Sequence, residues 1–125
     1  MGIRQLEPVE RTALDRDRIY ELGERLGPAR LEEFVCVTME DLAFLLCRAQ
    51  REFDRGGYDQ LRLIAMRAQR VAAEIGLPVV ARVASDLQSL TEIQDSVAVA
   101  AVSARLQRLG EAALFSQLDA GDPVT

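Results

Sequence analysis

A chain of 125 residues is long enough to bury a single core, and an apolar content of 49% excludes a disordered one. Aromatic residues make up only 5%, which leaves alanine, leucine and valine to fill the interior and favours close-packed helices over a sandwich or barrel. A net charge of −5 supplies no basic field for neutralising phosphates, so nucleic acid is excluded as a partner.

Two absences narrow the chemistry further. All fifteen cations are arginine, which removes any lysine-based reaction. There is no histidine, hence no imidazole base, no histidine metal ligand and no phosphohistidine. The opening MGIRQLEPVERTAL has no apolar run of signal-peptide length, and no stretch approaches the ~20 apolar residues of a membrane span. The expectation is a soluble cytoplasmic protein with no cofactor and no membrane segment.

Taken in order, residues 1–14 read as irregular, with Pro8 and mixed charges. Asp15 is placed to cap a short helix over 15–27 that turns Ile19, Leu22 and Leu26 inward. Gly27 and Pro28 mark a stop and a restart. The longest pattern covers 28–54, where Leu31, Phe34, Val35, Thr38, Leu42, Leu45, Leu46, Ala49 and Phe53 recur by threes and fours. Glu32 and Glu33 near its start and Arg48, Arg51 and Arg55 near its end match the helix dipole. Cys36 and Cys47, about 16 Å apart along this helix, cannot pair with each other and are expected as buried small hydrophobes.

Gly56 and Gly57 then reverse the chain. Over 61–76 the sequence LRLIAMRAQRVAAEIG places Leu61, Ile64, Ala65, Ala68, Val71, Ala72 and Ile75 on one helical face. At about 100° per residue, Leu63, Met66, Arg67, Arg70 and Glu74 point the other way. An outward Leu63 and Met66 framed by arginines is the feature that needs a use. Gly76 supplies a left-handed stop, and Pro78 opens the next helix, expected to run to about Leu90 with Val80, Ala81, Ala84, Leu87 and Leu90 inward. A connection within 91–96 leads to a last helix capped by Asp95 or Ser96, in which Val99, Val102, Leu106, Leu109 and Ala113 keep the rhythm and Gly110 interrupts only propensity. Residues 119–125 are expected to be a flexible tail. No strand alternation and no repeat are visible. The expected fold is all-α: an antiparallel up-down-up-down four-helix bundle over 15–118, with a short extra N-terminal helix.

These residues resemble the histidine-containing phosphotransfer (HPt) domain of two-component phosphorelays. That family carries, on its third helix, a motif of the form H-x-L-K-G-S-x-x-x-I-G. The corresponding stretch here runs from Met66 to Gly76, and its closing Ile75-Gly76 and small Ala72 and Ala73 match. The upstream run LGPARLEEFVCVTMEDLAFLLCRAQREFDRGGYDQL resembles the family's run-in, including its spacing to the motif, and the downstream LPVVARVASDLQSL is similar to its fourth helix, so the likeness spans about residues 18–118. The departures are equally specific. Met66 stands at the phosphoacceptor position, Gln69 at the lysine and Arg70 at the small glycine. A thioether has no titratable proton and cannot take up a phosphoryl group as an imidazole nitrogen does.

The resemblance therefore implies a silent member that binds a response-regulator receiver domain or a histidine kinase without carrying phosphate. The partner-binding face is expected to be Arg62, Leu63, Met66, Arg67, Gln69, Arg70 and Glu74, with no catalytic residue and no metal ligand. A homodimer burying the same face is the second arrangement, and a self-associating structural bundle unrelated to signalling is the main alternative function. The bland account of the arginines is a solvated face with Arg70–Glu74 and Arg62–Asp59 pairs. Catalysis by Glu52, Asp54 and Asp59 would need convergence that the spacing does not provide, and two thiolates without histidine make a poor zinc site.

Overall fold

The computed structural model describes residues 14–120, with side chains from 14 to 116, and every regular element among them is an α-helix. The five are α1 (Arg16–Leu26), α2 (Pro28–Asp54), α3 (Tyr58–Ile75), α4 (Pro78–Ile93) and α5 (Ser96–Ala120). Of the segment expected to be irregular, only Leu14 is described. Of the expected tail, Asp119 and Ala120 belong to α5, and the remainder lies outside the described residues.

Local chemistry fixes the boundaries. Asp15 caps α1 by accepting the Asp17 N–H at 3.0 Å on Oδ1. Pro28 and Pro78 open α2 and α4, where a missing N–H costs nothing. The end of α4 differs from the expectation: it runs on to Ile93, and Gln94 then takes the left-handed conformation at φ 63. Glutamine here occupies a conformation that glycine more often supplies. Asp95 caps α5, its Oδ1 accepting the Ala98 N–H at 3.1 Å.

The helices pack as a closed circuit: α2 on α3, α3 on α4, α4 on α5 and α5 back on α2, with α1 against α2. Their inward stripes meet in one apolar cluster, in which Leu42, Leu61, Ile75, Val80 and Leu87 are fully buried. Removing each such side chain from water stabilises the fold by about 1.5–3 kcal/mol. The three-four spacing places most core residues correctly. Its exceptions are rim positions: Val71, Ala81, Leu90 and Val102 are half-buried, as are Leu31, Phe34, Val35 and Phe53 on α2 and Ile19 and Leu26 on α1. Met39, Val83, Thr91 and Ser103 are buried without having been expected to be.

The cysteines correct the expectation outright, since Cys36 and Cys47 are both exposed. The buried stripe of α2 is Thr38, Met39, Leu42, Leu45, Leu46 and Ala49. At about 100° per residue both cysteines fall more than 100° from its centre at Leu42. Their apolar character suggested burial, but their helical phase decides it. Cys47 lines an open groove between α2 and α5 with Leu46, Gln107 and Leu114.

Gly110 has a structural use there. A Cβ at this position would run into Leu46 Cδ1, so its absence lets α5 settle onto α2. The approach also brings Gln107 Nε2 to the Leu46 carbonyl, to which it donates at 2.8 Å. Gly110→Ala would gain about 1 kcal/mol in an open helix. Here the clash with a buried leucine is expected to dominate and to lower stability by about 1–3 kcal/mol, seen as a lower urea midpoint.

Candidate functional site

α3 packs against both α2 and α4. Its inner face is an alternation of large and small side chains: Leu61, Ile64, Ala65, Ala68, Ala72 and Ile75, all buried. Its C-terminus closes on Gly76, left-handed at φ 86, with the Leu77 N–H donating to the Ala72 carbonyl at 2.8 Å. The same glycine receives α1. Its carbonyl accepts the Asp15 N–H at 2.7 Å, and Arg18 Nε donates to the Glu74 carbonyl at 2.8 Å. A Cβ on Gly76 would lie 3.1 Å from Arg18 Cβ. None of this tie between α1 and α3 has a sequence signature beyond the glycine itself.

With the inner face buried, the opposite side of α3 is presented to solvent. Leu63 is 47% exposed and Met66 38%, and Arg67, Arg70 and Glu74 are exposed beside them. Arg67 and Arg70 have no ion-pair partner among the described residues, and the anticipated Arg70–Glu74 and Arg62–Asp59 pairs do not form. Arg62 reaches across to α4 instead and meets Glu92 at 3.5 Å. Both side chains are well solvated there, so the pair contributes a few tenths of a kcal/mol at most.

Gln69 also departs from a freely outward placement. It is half-buried, and its Oε1 accepts a hydrogen bond from Gln88 Nε2 on α4. The physical cause is phase: Arg62 and Gln69 are seven residues apart and lie on the flank of α3 that faces α4. The face thus divides in two. Arg62 and Gln69 fasten α3 to α4, while Leu63, Met66, Arg67, Arg70 and Glu74 remain available.

The carboxylates considered for catalysis are dispersed. Glu52 pairs with Arg55 at 3.2 Å, Asp54 accepts from Gln50 Nε2 at 2.9 Å, and Asp59 is exposed in the first turn of α3. Among the described residues no three of His, Cys, Asp and Glu are grouped to hold a metal ion, and no helix is long and apolar enough to cross a membrane. Sequence reasoning missed several exposed apolar residues, among them Val37 and Phe44 on the outside of α2, 50% and 64% exposed. Their seven-residue spacing and their absence from the inward stripe were the available signals.

No protein-family model, characterised protein or solved structure matches the chain.

Because Arg70 is exposed and makes no ion pair among the described residues, Arg70→Glu is expected to change stability by less than about 0.5 kcal/mol. Gly76→Ala is expected to cost at least about 1–2 kcal/mol, since alanine is strained at that φ and crowds Arg18. Parallel urea titrations followed by circular dichroism separate the two classes.

Proposed function

We propose that this chain is an HPt-like signalling module that binds a receiver domain or a histidine kinase through the outer face of α3 and transfers no phosphate itself. The observation that carries the proposal is the outward set Leu63, Met66, Arg67 and Arg70 on a helix packed between α2 and α4, its two arginines free of ion pairs among the described residues. In the proposed architecture, α2 to α5 form an antiparallel up-down-up-down four-helix bundle and α1 is the extra N-terminal helix. The closed circuit of helix contacts and the two- and three-residue connections between α2, α3, α4 and α5 support that arrangement.

The chemistry of the face suits an acidic partner. Leu63 and Met66 offer a compact apolar centre, and methionine adapts its shape to what it meets. Arg67 and Arg70 add two guanidiniums with no competing carboxylate bound to them, which favours electrostatic steering toward a carboxylate-lined pocket. With Met66 where the resemblance puts the phosphoacceptor, the contribution is binding alone: the module occupies a receiver or kinase and keeps other phosphotransfer proteins from it.

The test is capture of receiver domains and kinase fragments from the same genome on the immobilised full chain. One or a few are expected to bind specifically. The complex should weaken as salt rises and should lose about tenfold or more in affinity when Arg67 and Arg70 are both changed to Glu. Uniform failure to bind any of them would remove the signalling function.

A further inference from the structure

The outside of α2 carries a second surface with no use inside the chain. Within about 60° of the direction opposite Leu42, the stretch from 33 to 51 carries Glu33, Val37, Glu40, Phe44, Arg48 and Arg51 with the two cysteines beside them, and Arg30 and Asp54 lie at its two ends. Val37 is half exposed and Phe44 is 64% exposed, although both are large and apolar. Glu33, Glu40 and Arg51 are exposed and have no ion-pair partner among the described residues. Arg48 only stacks its guanidinium over the Phe44 ring, 6.0 Å from the centroid.

The order of these residues identifies the occupant. In the central stretch Glu33 and Glu40 precede Phe44 and Arg48 and Arg51 follow it, with Arg30 and Asp54 beyond it at the ends of the helix. A stripe that is negative in one half and positive in the other is complementary to its own reversed copy. Place a two-fold axis through Phe44 and run a second α2 antiparallel across the first. Each residue then faces the one equally far beyond the axis. Glu40 faces the second copy's Arg48, Val37 faces its Arg51, and Glu33 comes within one helical turn of that same arginine. The two phenylalanines meet at the centre. A parallel pairing would set glutamates against glutamates and arginines against arginines, which is repulsive along its whole length. A contact that uses the same patch on both subunits also closes after two copies, so it gives a dimer and not a filament.

We propose that the chain forms a two-fold dimer in which α2 pairs antiparallel with α2 of a second copy about Phe44. The pairing draws on α2 alone and is independent of what binds α3. One helix pair is a small interface, at or below the lower end of the range for stable complexes of about 1,200 Å² of total buried area, so association is expected in the micromolar range.

Sedimentation equilibrium of the full chain over a concentration series tests this, with circular dichroism confirming that each variant keeps its helices. The wild type should show a monomer–dimer equilibrium that shifts toward monomer in high salt. Phe44→Glu should weaken association about 30-fold or more. Glu40→Arg should weaken it too, and adding Arg48→Glu to Glu40→Arg should restore it, because the exchanged charges still face each other only in the antiparallel register. A monomer at every concentration overturns the proposal. So does a dimer that is indifferent to Phe44→Glu but lost with Met66→Asp, which would place the interface on α3. Failure to capture a receiver leaves the dimer untouched, and a monomer leaves receiver binding untouched.

Discussion

The whole packing depends on how closely α3 can lie against its neighbours. Ala65, Ala68 and Ala72 are all but inaccessible to solvent, and they alternate with Leu61, Ile64 and Ile75 along the same stripe. Small residues let the backbones approach, and the large ones fill the space on either side, which is how a chain with few aromatic rings reaches interior density. The same device recurs where α5 meets α2, with Gly110 against Leu46. A core built from close approach tolerates additions poorly: a methyl at Gly110 would meet the buried Leu46 side chain, which must then give way inside the core.

Much of this was legible in the sequence, for a definable reason. A helix with one buried side imposes a three-four rhythm, and α3 shows it without interruption, so its inner and outer faces follow from spacing alone. What spacing cannot give is which neighbour covers each flank. Gln69 and Arg62 sit on the flank of the wheel, where spacing alone does not say that α4 brings Gln88 and Glu92 to them. The length of α4 was hidden because Gln94 ends it in a conformation normally advertised by glycine. The cysteines were misplaced by weighing their residue type above their phase, a choice the rest of α2 argues against.

The two outer surfaces differ in kind. On α3 the unpartnered charges are mainly cationic and the apolar centre is Leu63 and Met66, a combination suited to something acidic and foreign. On α2 the charges change sign across Phe44, so the pattern finds its complement in itself. Neither surface contributes to the core, and the arginines and glutamates that mark them form no ion pair among the described residues. Stability and recognition are therefore carried by opposite sides of the same helices, and either can be altered by substitution with little effect on the other.

The attachment of α1 has a consequence for how the molecule opens. This helix buries Leu22, packs chiefly on α2 and reaches α3 through two hydrogen bonds at Gly76 and Glu74. So few ties make it a cooperative unit of its own, one that detaches at far lower free energy than the four longer helices unfold. Amide exchange in α1 should outpace that in the middle of α3. Its arginines, Arg16, Arg18 and Arg25, also make it the segment that trypsin reaches from the native state. The N-terminal helix behaves as a latch, and its release bares the glycine on which the end of α3 is built.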